Sequence, residues 1–165
     1  MKREKSQTRH LRRPARIEPG GFTLLETLVV LLVTMILAAF AIPAVEGTIR
    51  NYRINTAATA ASSAIQSTRF QCIMLAYPFQ IAFNQSNASY QVLSMPTGAT
   101  SFSNVGGPIP ISSGVGISLS PSTTLQFSPG GTVQAASGSM SFTVTDGILT
   151  KTITTSGVGN VTISP

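Results

Sequence analysis

Side chains that carry chemistry are scarce in this chain. Cys72 is the only cysteine, so no intrachain disulfide can form. His10 is the only histidine, and everything after the first twenty residues lacks an imidazole. Charged residues make up 10% of the sequence, and residues 22–165 carry just three acids, Glu26, Glu46 and Asp146. No acid pair, nucleophile–base arrangement or metal-ligand cluster can be assembled from that inventory. Calcium needs several oxygen ligands, and the one carboxylate downstream of residue 76, Asp146, does not supply them. The chain reads as a non-enzyme that holds no metal and needs no cofactor.

Basic charge is present but unevenly placed. The net charge is +6. Residues 1–21 hold Lys2, Arg3, Lys5, Arg9, Arg12, Arg13 and Arg16 against Glu4 and Glu18, which is +5. Residues 22–165 hold Arg50, Arg53, Arg69 and Lys151 against their three acids, which is +1. The high pI therefore belongs to the front of the chain and says nothing of nucleic-acid affinity in the rest. A basic cluster directly before an apolar span is the positive-inside signal and places this end in the cytoplasm.

The apolar span runs from Phe22 to Val45 with a single charge, Glu26. As a helix it measures about 36 Å, enough to cross a hydrocarbon core of about 30 Å. Glu26 costs about 2.5–3.5 kcal/mol there unless it is neutralised, interfacial or paired. If the chain is cut between Gly21 and Phe22, a new amine lies one helical turn from Glu26 and can pair with it, in the same chain or a neighbour. A second reading is an acid in a first helical turn, favoured by the free N–H groups; position alone leaves both open. Pro43 is expected to bend the helix, because helix-favouring sequence resumes after it.

Residues 46–76 continue as helix. Ile54, Ala58, Ala61, Ile65, Thr68, Cys72 and Leu75 recur every three or four residues, with Arg53, Ser62, Gln66 and Arg69 on the other side. Such an alanine-rich stripe lets a sheet approach closely and makes Cys72 a buried thiol. Tyr77-Pro78 ends the helix. Seven strands are expected beyond it, around Phe79–Phe83, Tyr90–Val92, Val115–Leu119, Leu125–Phe127, Met140–Val144, the stretch to Ile153, and Val161–Ile163. Asp146-Gly147 reads as a hairpin turn. Residues 95–114, rich in Gly and Pro, read as one long loop. The fold class is α+β, a long N-terminal helix packed on antiparallel sheets.

Gly21-Phe22-Thr23-Leu24-Leu25-Glu26 with the apolar run behind it resembles the prepilin peptidase site of type IV pilins and type II secretion pseudopilins. The resemblance implies cleavage between Gly21 and Phe22, N-methylation of Phe22, and assembly steered by Glu26; Pro43 sits where these helices commonly bend. Leu125-Gln126-Phe127-Ser128-Pro129-Gly130-Gly131-Thr132, followed by Ser141-Phe142-Thr143-Val144 and a hairpin, resembles the C-terminal region of H-type minor pseudopilins and FimT-like minor pilins. It implies a cleaved leader over 1–21, a transmembrane and assembly half-helix over 22–45, and a periplasmic head over 46–165. The partners implied are prepilin peptidase, the inner membrane and other pilins or pseudopilins. The location implied is a single-pass inner-membrane protein, with its N-terminus cytoplasmic, that later enters a filament.

Three readings follow. The first is a structural subunit of a type II secretion system or related type IV pilus. The second is a FimT-like DNA receptor for natural transformation, a role those relatives serve with arginines in a final glycine-containing segment. Here that segment, Ser156-Gly157-Val158-Gly159-Asn160-Val161, has none, and Lys151 is the only basic residue after Arg69. Phosphate binding draws on Lys and Arg, which argues against nucleic acid. The third is a secreted protein cut after Ala39-Phe40-Ala41, giving a chain that starts at Ile42. It leaves Glu26 and the Gly-Gly-Phe sequence without a reason.

Overall fold

The computed structural model describes residues 21–111 and 116–165, apart from the side chains of residues 43 and 44. Residues 1–20 of the expected leader lie outside the described residues, as do Gly114 of the expected loop and Val115 of the expected strand.

One helix, α1, spans Leu24–Leu75. Thr23 caps its start: the Glu26 N–H donates to Thr23 Oγ1 at 3.2 Å, and the Thr27 N–H donates to the Thr23 carbonyl at 3.2 Å. At the other end Ala76 turns left-handed with φ 55°, and Pro78 prevents continuation. The helix range passes through position 43 without a break, so Pro43 is not its end. The expected bend there falls on a residue whose placement is outside the description.

The chain forms two compact units, one to Ala41 and one from Ile42. In the first, the described part is helix with apolar side chains exposed on every side, including Leu28, Val30, Leu32 and Leu37. An apolar surface running all round a helix is not a core-facing stripe; it needs lipid or other helices to cover it. This is the one helix among the described residues long and apolar enough to cross a membrane.

The second unit contains nine strands among the described residues. They are β1 (Phe79–Asn84), β2 (Ser89–Ser94), β3 (Ser103–Pro110), β4 (Ser118–Ser120), β5 (Thr123–Phe127), β6 (Val133–Ser137), β7 (Ser141–Thr145), β8 (Thr150–Thr155) and β9 (Val161–Ser164). Five make one antiparallel sheet in the order β3-β2-β1-β5-β6, and four make a second in the order β4-β7-β8-β9. Alternation sets which side chains enter the core. Phe79, Ile81 and Phe83 of β1 and Leu125 and Phe127 of β5 are buried, as are Leu119, Phe142, Val144 and Ile153 of the second sheet. Phe83 and Phe142 meet with ring centroids 4.4 Å apart, one from each sheet. Together with Ile54, Ala57, Ala58, Ala61, Ala64, Ile65 and Cys72 of the helix they form one buried cluster.

Four expectations need correction. Residues 95–114 are not one loop, because β3 occupies Ser103–Pro110. It is an edge strand with all eight residues exposed, so no face of it alternates, and an edge tolerates Pro108 and Pro110. β6 was not expected either; its Val133 is buried but the next four residues are exposed and small or polar. Helical spacing places Ser62 on the outer face, yet it is buried, small enough to sit beside the alanine stripe. The same spacing places Leu75 on the stripe, but it is 52% exposed, because the helix stops there and the chain turns away at Ala76.

Candidate functional site

The residues singled out near the N-terminus lie in one short stretch. Gly21, Phe22 and Thr23 precede α1 without regular structure, and Glu26 sits in its first turn. Phe22 is 80% exposed, and a Cβ placed on Gly21 would meet nothing within 4 Å. The bond between Gly21 and Phe22 therefore sits in an exposed segment without regular structure at a helix start, the kind of backbone that can enter a peptidase cleft. Thr23 and Glu26 have the three-residue spacing of a capping box. Only the backbone N–H of Glu26 is tied to Thr23, leaving the carboxylate exposed. The cap was missed in the sequence, although Thr-x-x-Glu before an apolar run is its signal.

Apart from Lys151, the head's few charges are arranged in two places. Near one end of the second unit, Arg50 Nε lies 3.5 Å from Asp146 Oδ2. Asp146 Oδ1 accepts from the N–H groups of Leu149 at 2.7 Å and Ile148 at 3.0 Å. These bonds, Leu149 first and then Ile148, hold the carboxyl below its ordinary pKa, and Arg50 adds a smaller push the same way. Asp146 thus serves as the turn residue that Asp146-Gly147 suggests, with an ion pair to the helix that only the fold could reveal. A surface groove of about 360 Å³ runs beside them, lined by Glu46, Arg50, Arg53, Ile117 and Ile148.

This lowered pKa has a sign. The folded value lies below the unfolded one, so the contribution is present above the unfolded value of about 3.9 and fades as pH falls through the folded value. Amide exchange at Ile148 and Leu149 is expected to quicken in the wild type as pH drops below about 4. In Asp146→Asn it should show no such step, after correction for intrinsic exchange. A wild-type profile as flat as the variant's would mean that the carboxylate does not hold the turn.

The second charged place surrounds Arg69. Its Nε donates to the Gly131 carbonyl at 2.9 Å, in the turn between β5 and β6. Its guanidinium also lies against Gly159, in the turn between β8 and β9. That turn is the glycine-containing segment Ser156–Val161, which in sequence has no cation of its own. The fold brings one to it from ninety residues upstream. No sequence signal marks this juxtaposition.

Burial raises the thiol pKa of Cys72, and the single S–H has the carbonyls of Tyr77 at 3.2 Å and Phe127 at 3.3 Å as acceptors within reach, so it packs as a structural group. Among the described residues no three His, Cys, Asp or Glu come together as a metal site.

No protein-family model and no curated protein matches the chain. Among solved structures it is similar to the minor pseudopilin EpsH from the Type 2 Secretion System of Vibrio cholerae, with a TM-score of 0.53 and 10% sequence identity. The likeness covers 68% of this chain and 96% of that one. At that identity the likeness carries the architecture alone. The chain has a pilin-like α+β fold, a long N-terminal helix packed on antiparallel sheets.

Proposed function

We propose that the chain is a minor pseudopilin, a structural subunit of a type II secretion filament or a related type IV pilus, processed by prepilin peptidase and assembled through its N-terminal helix. One observation carries this reading: a pilin-like head continues the same helix whose front is apolar on every side and opens with Gly21-Phe22-Thr23-Leu24-Leu25-Glu26. The helix waits in the inner membrane with its basic leader in the cytoplasm. Cleavage after Gly21 frees the Phe22 amine, and N-methylation leaves that amine cationic. In the filament the apolar helices bundle, and each Glu26 meets the Phe22 amine of a neighbour. In a medium of low dielectric, that pairing offsets the cost of burying either charge alone.

Glu26→Ala tests the assembly step. The Thr23 cap uses the backbone N–H of residue 26, so the variant keeps its helix start. Cleavage is expected to proceed as in the wild type. Incorporation into sheared filaments, beside wild-type partners, should fall about tenfold or more, equivalent to about 1.4 kcal/mol per contact. Normal incorporation would remove Glu26 from the assembly contact.

A further inference from the structure

The groove beside Arg69 has a chemistry that neither cleavage nor filament assembly uses. It is about 520 Å³ in volume and lies between a helix face and the β8–β9 turn. Gln66, Arg69, Phe70 and Ile73 form one wall, spaced so that all four share one face over two helical turns. Val158, Gly159, Asn160 and Val161 form the other. Phe70 is 63% exposed, Ile73 44% and Val158 71%, and these three make an apolar rim to the groove.

Arg69 sits partly buried on the floor. It is held in place, with Nε bonded to the Gly131 carbonyl and the end of the side chain close against Gly159. Both glycines have φ near +80°, at 82° and 81°. A Cβ at Gly159 would collide with Arg69 Nε and Cζ, so the turn is shaped to admit the guanidinium. A guanidinium has five N–H donors. Here one is used, and among the described residues no acid pairs with Arg69. The Nη donors thus have no partner among the described residues, and Gln66 and Asn160 line the same groove.

We infer that this groove docks a partner polypeptide through a side-chain carboxylate flanked by aliphatic residues. The planar fork of Arg69 matches a carboxylate bidentately, which a lysine could not do. Phe70, Ile73 and Val158 supply apolar contact on either side of it. The groove runs along the helix rather than closing into a pit, so it suits a segment passing through. Phosphate would meet a single cation here, whereas a nucleic-acid surface is built from several.

The test uses the full chain in detergent micelles and a fluorescein-tagged, C-terminally amidated peptide, Gly-Leu-Glu-Leu-Gly, beside its Gly-Leu-Gln-Leu-Gly counterpart. The glutamate peptide should bind about tenfold more tightly than the glutamine peptide, the scale of a charge-assisted bidentate contact. Val158→Asp places a negative charge on the exposed rim without touching the Arg69 contacts, and it should abolish the preference while thermal melting stays unchanged. Arg69→Lys should reduce the preference by several fold. Equal binding of the two peptides overturns the proposal, as does a preference that survives Val158→Asp. Displacement of the glutamate peptide by inorganic phosphate or a DNA duplex at lower concentration than by unlabelled peptide would make this a phosphate site and overturn it too. None of these readouts depends on cleavage or on filament formation.

Discussion

Replacing Gly21 with tryptophan is expected to leave the chain as the uncut precursor, while Gly21→Ala is still cut and yields a product beginning with methylated Phe22. Intact-mass analysis of membranes that contain the peptidase separates these forms directly. The prediction has unusual leverage because Gly21 has no part in folding. A Cβ there meets nothing within 4 Å, and α1 begins three residues later. Any loss of processing therefore reports on the peptidase and not on a damaged substrate. Glycine matters because backbone at a scissile bond must enter a cleft closely, which a bulky Cβ substituent obstructs. The competing product is a chain starting at Ile42. A cut after Ala41 falls inside α1, Leu24–Leu75, where the peptide bond is locked into helical hydrogen bonding and has to be unwound first. Recovery of Ile42 as the N-terminus in the wild type would replace the filament reading with that of a secreted protein.

What could be read from the chain before its structure followed from periodicity. Ile54, Ala58, Ala61, Ile65, Thr68 and Cys72 recur at helical spacing and all are buried. Phe79, Ile81 and Phe83 alternate, and so do Phe142 and Val144; both sets face the core. β3 and β6 gave no such signal, because a strand exposed on both faces or buried at one end has no alternation to show. Pairing across the sheets was also hidden. β1 lies between β2, its hairpin neighbour, and β5, which follows forty residues later, and no local pattern specifies the second partner. The N-terminal stretch was legible as a motif because its meaning is local. Arg69 was not, because its role depends on two glycine turns far away in sequence.

The joint between the two sheets is where the largest loss of stability is expected. Phe142 on β7 is 1% exposed and its ring meets that of Phe83 on β1, which is 2% exposed. Nothing in either strand's sequence says that these rings touch. Removing one takes away buried apolar area and leaves a void that neighbours on two different sheets cannot jointly close, since each is held by its own hydrogen-bonded ladder. Phe142→Ala is therefore expected to cost about 3–5 kcal/mol, a large share of the 5–15 kcal/mol that typically holds a domain together. In the full-length protein the head's melting temperature should fall by about 10 °C or more. Ile148→Ala, at a site 71% exposed, removes a comparable apolar side chain and should stay within about 0.5 kcal/mol of the wild type. The contrast matters more than either value. If both variants melt alike, the sheets are not joined through the Phe83–Phe142 contact, and the head's stability rests on the helix stripe alone. If only Phe142→Ala melts early, the two sheets act as one cooperative body. The turns that hold Arg69, one from each sheet, then keep a fixed spacing, which a preorganised docking groove requires.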